Sequence, residues 1–348
     1  MRVAFVSMYT TDRRDTPALR RAERVAAGLS ARGHEVVWLC ARWWDGDADA
    51  FDRDGVTYRA VTDAASSGSF RSKLPFALRS VSPDVVQAVC APPAHASTAA
   101  TVCRLLRTPT LVDWWGADPD LGTAKGYRRA ATKPDAVLVP SEAVRTDVRE
   151  RGAAADDVHV VPESVDFDLV RSADAAGDAD VVYARRLDAN ANVETLLLAL
   201  AELRDREWRA AVVGDGPARA AAERTARDLR IDDRVTFRGD LPPAELVPLL
   251  KGAHAFAQTA TDEPFATGLL WALACGCVGI VEYQAGSSAH ELVEGFDRGR
   301  LVTSPGELAD EIAACGGLER RTVDERFADF DHDAVLAEYE RRYRETLE

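Results

Sequence analysis

The chain has 348 residues, 47% of them hydrophobic and 29% charged, with a formal net charge of −14. Length and apolar content suit two globular cores, and the acidic balance argues against a nucleic-acid partner. No apolar run is long enough to span a bilayer, and charges from Asp12 onward break any signal-peptide pattern in residues 1–20.

Two finer features of the composition carry expectations. Of the 43 basic residues only Lys73, Lys125, Lys133 and Lys251 are lysines. An acidic, lysine-poor chain suits very high salt, as in a haloarchaeal protein; an acidic chain from a GC-rich genome is the other reading. The charge is also uneven: residues 1–165 hold 22 basic and 21 acidic side chains, so nearly all of the net charge lies beyond them. A near-neutral half in an acidic chain points to an anionic partner. Arg13, Arg14, Arg20, Arg21 and Arg24 form one candidate cluster. Arg71, Lys73 and Arg79 form a second, and Lys125, Arg128, Arg129 and Lys133 a third, unless aspartates nearby pair with them. The six cysteines follow no zinc-type spacing and read as buried free thiols of a cytoplasmic protein.

In chain order, short β-branched runs alternate with amphipathic helices, the pattern of a parallel α/β sheet. "RVAFVSM" (2–8) is a strand buried on both faces. Thr16 caps a helix with Pro17 at its first position, and Gly33 closes it before the strand "EVVWLC" at 35–40. Further strands are expected at 83–89, 108–114 and 134–141. Residues 166–179 are polar and pattern-free and read as a linker. A second alternation begins at strand 180–184 and helix 192–204, and runs through strands at 209–214, 234–239, 253–258 and 277–283. Residues 333–347 form a charged helix with apolar positions at Val335, Leu336, Tyr339 and Tyr343. The expected architecture is two doubly wound domains facing across a cleft, with ligands at the carboxyl ends of the strands.

Three stretches fall at such ends in the second half. "YARRLDANANVETL" places Arg185 and Arg186 after a strand and ahead of a helix start, a natural diphosphate site. "VVGDGP" ends a strand with Gly214 and Gly216, which serve either a ligand's close approach or a plain tight turn. "EPFATGLLWALACG" puts Glu263 beside a helix whose first amides, near Ala266, Thr267 and Gly268, present partial positive charge. In the first half, "LVDWWGADPD" places Asp113, Trp114 and Trp115 at a strand end, to edge the cleft for a sugar or to pack inside. His95 follows another strand as an acceptor-side or structural residue.

Together and in this order, these motifs resemble the large retaining glycosyltransferase family of the two-Rossmann GT-B fold called family 4. The likeness covers nearly the whole chain, including "RGHEVVWL", "DAVLVPSEAVRTDVRERG", "VHVVPESVDFD" and "RVTFRGDLPPAEL". It implies transfer of a sugar from a nucleotide-diphosphate donor to a glycan or lipid-phosphate-linked acceptor, without a metal or other cofactor. It also implies a first domain of residues 1–167, with helix 331–348 packing back on it, and a donor domain of residues 168–330. Such a protein works in the cytoplasm at the inner membrane surface through peripheral contact. The family's diphosphate arginine falls on Arg186, its sugar-contacting glutamate on Glu263, the phosphate-facing amides on Ala266, Thr267 and Gly268, and the base-side loop near Phe237.

The departures are as specific as the matches. The family's diphosphate lysine falls on Ala191, and its ribose-binding second glutamate on Trp271. The glycine-rich turn after the first strand is replaced by "SMYTTDRRDTP". Arg185 stands where the family has glycine, and is expected to restore one charge at the diphosphate. Arg13 or Arg14 is expected to replace a backbone contact on the acceptor side. Trp271 either stacks on the ligand or packs in its helix. Uncompensated, the two losses would weaken donor binding by about 10³-fold. The alternative function is a non-catalytic relative that keeps a sugar-nucleotide or glycan site and acts as a partner of an active transferase.

Overall fold

Strands of Val, Ile and Ala with no polar face cannot sit at a surface, so this sequence must cover both sides of each sheet with helices. The computed structural model describes residues 1–118 and 120–348. They divide into two compact units, residues 1–162 with 335–348, and residues 163–334.

The first unit runs β1 (Arg2–Val6), α1 (Pro17–Ala31), β2 (Glu35–Ala41), β3 (Ala50–Arg53), β4 (Val56–Thr62), α2 (Ser67–Val81), β5 (Val85–Val89) and α3 (Pro93–Leu106). It continues through β6 (Thr110–Asp113), α4 (Ala124–Thr132), β7 (Ala136–Val139), α5 (Glu142–Glu150) and β8 (Val158–Val160). The sheet order is β3-β4-β2-β1-β5-β6-β7-β8, parallel except for the β3–β4 hairpin at its edge. Thr16 caps α1 by accepting from the Leu19 amide, with Pro17 just inside.

The second unit comprises α6 (Phe167–Ser172), β9 (Val181–Ala184), α7 (Val193–Glu202), β10 (Ala210–Val213), α8 (Arg219–Asp228), β11 (Val235–Gly239) and α9 (Pro243–Gly252). Then follow β12 (Ala255–Gln258), β13 (Asp262–Glu263), α10 (Thr267–Ala274), β14 (Val278–Glu282), β15 (Gly286–Ser287), β16 (Gly299–Val302) and α11 (Pro305–Cys315). Its main sheet is β11-β10-β9-β12-β14-β16, all parallel, and β13 pairs with β15. Residues 166–179, expected as a linker, instead open with α6. Phe167 and Val170 are its buried side chains, and buried Lys251 donates to the Val170 carbonyl at 2.7 Å and to Ala173.

The last helix, α12 (His332–Leu347), buries Val335, Leu336, Tyr339 and Tyr343, and its residues from 335 onward belong to the first unit. Gly28 of α1 has Leu336 against it, close enough that a Cβ there would meet the leucine at 2.8 Å. All six cysteines are free and buried. Among the described residues no helix is long and apolar enough to cross a membrane.

Candidate functional site

The carboxyl ends of β9, β12 and β14 bring the second-unit residues together. β9 ends at Ala184, so Arg185 leaves the sheet at its rim. Its Nε lies 3.2 Å from Glu263 Oε2, and its Nη2 lies 3.5 Å from Asp188. Its Nη1 is buried without a hydrogen-bond partner. Arg186, next in the chain, is exposed and makes no ion pair among the described residues.

Glu263 is fixed by its backbone. The β13–β15 pairing and a 2.9 Å bond from the Ser288 amide to the Glu263 carbonyl hold the strand. Burial pushes its carboxyl up to about 7, while Arg185 and the amide of Gln258 act in the opposite direction. Gln258 ends β12, is 3% exposed, and has an unpartnered Oε1. A buried glutamine closing an otherwise apolar strand marks this position, a signal that motif spacing alone passes over.

The glycines are explained by backbone approach. Gly214 has φ of 121°, and a Cβ there would lie 1.9 Å from the Arg185 carbonyl oxygen. Gly216 meets the Leu187 carbonyl in the same way. Both therefore seat the 185–187 loop, so the tight-turn reading accounts for them. Gly268, in the first turn of α10, lies so close to β9 that a Cβ would come 2.2 Å from the Ala184 carbonyl. That approach sets the first turn of α10, at Ala266–Thr267–Gly268, beside the end of β9, with the Thr267 amide donating to the Phe265 carbonyl at 3.0 Å. Phe237 is half-buried in β11, and its carbonyl accepts from Arg219 at 3.3 Å.

The two positions expected to depart from the family pattern are both buried. Ala191 is 1% exposed, and its carbonyl accepts from the Tyr183 hydroxyl at 2.6 Å. Trp271 is 7% exposed on α10, in a helix buried from Leu269 to Ala274. Next to Ala191, Asn192 adopts a left-handed φ of 48° and donates from Nδ2 to both Thr259 O and Glu282 Oε2 at 2.9 Å. Burial raises the Glu282 carboxyl.

In the first unit the expected residues separate. Arg13 is exposed and donates to the Arg42 carbonyl at 2.8 Å; Arg14 lies 3.6 Å from Asp118. Asp113 and Trp114 do not edge a surface. Trp114 is fully buried against Tyr127. The Asp113 carboxylate accepts from Tyr339 Oη at 2.9 Å and from Gln87 at 3.1 Å. Fully buried Arg21 donates to that same tyrosine oxygen at 2.8 Å and to the carbonyls of Val161 and Pro162. α12 caps the end of β6 and withdraws Asp113 from water through Tyr339, while Trp114 is closed in by Tyr127 of α4 in a separate core cluster. His95 is buried in the first turn of α3, with Nε2 at 2.9 Å from Ser67 Oγ. Burial, with Arg71 nearby, lowers its pKa to about 4, so the ring is neutral at physiological pH.

Comparison with known proteins bears on family and fold. Residues 166–315 match the family described as glycosyl transferases group 1, and residues 18–163 match the glycosyl transferase 4-like domain. The lipopolysaccharide 1,6-galactosyltransferase of Salmonella typhimurium is 26% identical over 225 residues, 63% of this chain and 60% of that protein. The aligned part is thus less than two thirds of that relative's length. The structure of Anabaena Alr3699/HepE in complex with UDP has a TM-score of 0.77 at 18% identity, covering 98% of this chain and 99% of that one. Sucrose-phosphate synthase from Thermosynechococcus elongatus also reaches 0.77, at 17% identity, covering 99% of this chain and 98% of that one. At such identities the structural likeness is one of fold. The chain has the GT-B fold, two Rossmann-like α/β units whose sequences match glycosyltransferase domains.

Proposed function

We propose that the protein is a glycosyltransferase that takes a sugar from a nucleotide-diphosphate donor, held by the second unit, and passes it to a glycan or lipid-phosphate-linked acceptor. The observation that carries this reading is the meeting of Arg185 with Glu263 beside the α10 amide turn, with Arg186 left free. A guanidinium, a helix end and a carboxylate are complementary to a diphosphate followed by a sugar hydroxyl. The leaving diphosphate is neutralised by Arg186 and the amides near Thr267 and Gly268, so the reaction needs no metal, and the anomeric configuration is retained. Glu263 orients the donor sugar. The acidic, lysine-poor composition supports work at high salt, and the first unit takes an acceptor at the cytoplasmic membrane surface.

A second reading is favoured by the burial of Ala191 and Trp271: a relative that binds a sugar nucleotide without turning it over. Calorimetry against UDP-, GDP- and dTDP-sugars in molar KCl, followed by an assay of donor hydrolysis and transfer, separates them. Binding with turnover supports the transferase and binding without turnover the silent relative. Binding to none of the three sinks both.

A further inference from the structure

The amino ends of β9 and β12 lie side by side, with Ala255 opposite Val181. At this edge of the sheet, the edge opposite Arg185 and Gln258, opens a hollow of about 360 Å³. That is room enough for a small molecule. Its apolar lining comes from Val181 and Ala255, from Leu203 and Trp208 after α7, and from Ile312 of α11. The Trp208 indole is held in place, since its Nε1 donates to the Leu203 carbonyl at 3.0 Å.

One buried polar ring joins this lining. His254 is 7% exposed, and its Nε2 is hydrogen-bonded to the Cys315 carbonyl. A carbonyl only accepts, so Nε2 carries the proton and Nδ1 keeps a lone pair. Burial foremost, with Arg320 and Arg298 adding to it, holds the ring below the usual histidine range, so it stays neutral at physiological pH. Nδ1 is buried without a hydrogen-bond partner. An acceptor left unmet among apolar side chains calls for a ligand N–H or O–H.

Four charged side chains also line the hollow. Two are spent on each other: Arg320 Nη2 lies 3.3 Å from Asp180 Oδ1. The other two, Arg206 and Glu207, are exposed neighbours in the chain, and neither side chain has a partner among the described residues. An anion alone would be opposed by Glu207, and a cation alone by Arg206. A free cation beside a free anion is complementary to a group that carries both charges, the ammonium and carboxylate of an α-amino acid. The apolar lining and Trp208 suit an aromatic side chain, and a phenol O–H or indole N–H supplies what His254 lacks.

We infer that this hollow binds a free aromatic amino acid whose ring carries a hydrogen-bond donor, tyrosine or tryptophan, with the ring inward and the amino-acid group at Arg206 and Glu207. The site is separate from the candidate donor site, and donor binding does not enter its test. Calorimetry on the full chain compares tyrosine, tryptophan, phenylalanine, tyramine and hydroxyphenylpropionate. Tyrosine or tryptophan is expected to bind at least ~10-fold more tightly than phenylalanine, the worth of one hydrogen bond. Tyramine lacks the carboxylate and hydroxyphenylpropionate the ammonium, and each is expected to bind about 10-fold more weakly than tyrosine. His254→Phe should remove the preference for tyrosine over phenylalanine. R206Q/E207Q changes only exposed side chains and should bring tyrosine down to the level of tyramine, with the melting temperature unchanged. Binding of neither tyrosine nor tryptophan overturns the inference. So does equal binding of tyrosine, tryptophan and phenylalanine by the parent chain, a comparison that stands even if His254→Phe fails to fold. An R206Q/E207Q variant that holds tyrosine as tightly as the parent overturns it too.

Discussion

Arg185 and Glu263, 78 positions apart in the chain, meet at 3.2 Å at the rim of the second unit. The pair is nearly withdrawn from solvent, with side-chain exposures of 13% and 14%, yet the carboxyl sits at about 7, because burial outweighs the arginine. A carboxyl whose folded pKa is raised stabilises the fold while both states are protonated, and that stabilisation is lost as pH rises from the unfolded value through the folded one. Between about pH 4.5 and 7, therefore, this group lowers stability progressively. Glu263→Gln removes the titration. The variant should be more stable than the parent at pH 8, with the gap narrowing toward pH 5. Thermal melts at the two pH values check this; a constant gap would contradict it.

Arg185→Ala removes the one cation that holds the Glu263 carboxyl down. Its pKa should move further up, readable by carbon NMR of labelled glutamate. Donor affinity should fall by about 10-fold, the worth of one charge-assisted hydrogen bond. Arg186→Ala, which breaks no internal ion pair, should cost at least as much affinity and leave the melting temperature unchanged.

Placing a carboxylate at position 271 should fail. Trp271 fills a buried position of α10, and Trp271→Glu both empties that space and buries a charge. A loss of about 3–5 kcal/mol in the second unit is expected from the missing indole alone. Urea denaturation followed by fluorescence from the remaining tryptophans measures it. A variant as stable as the parent would show that Trp271 is a ligand-facing residue.

The buried group around Asp113 gives a sharper stability test. Tyr339→Phe leaves Arg21 Nε and an Asp113 oxygen each short of a partner, at a cost of about 1–3 kcal/mol. Arg21→Met strands the Asp113 carboxylate in the core and should cost about 3–5 kcal/mol. Hydrogen exchange should show α12 losing protection first.

What the sequence discloses follows from how local each cause is. Strands buried on both faces announce themselves by composition, and Thr16-Pro17 announces α1, because both signals lie within a few residues. The β3–β4 hairpin escapes such reading, since Ala50, Phe51 and Asp52 are exposed and show no buried face. α6 is hidden for a similar reason: six residues with two buried side chains leave no periodicity to detect. Asp113 and Trp114 stand at a strand end, as their spacing indicates. Tyr127 of α4 closes Trp114 in, and only α12, more than two hundred residues later, puts Asp113 inside. The Arg185–Glu263 contact and the placing of the Gln258 amide beside Glu263 are likewise products of tertiary placement, and no motif spacing encodes them.

The first unit is discontinuous in the chain, and this orders events during synthesis. Its sheet is complete when β8 has emerged, but Tyr339 and Tyr343, which close over Asp113 and Gln87, come only after the whole second unit has been made. Until then the Arg21 guanidinium and the apolar bed for Val335 and Leu336 are open to water or to a chaperone. The half that is translated first is therefore the half that matures last, and the ribosome must deliver one domain before the other can be sealed.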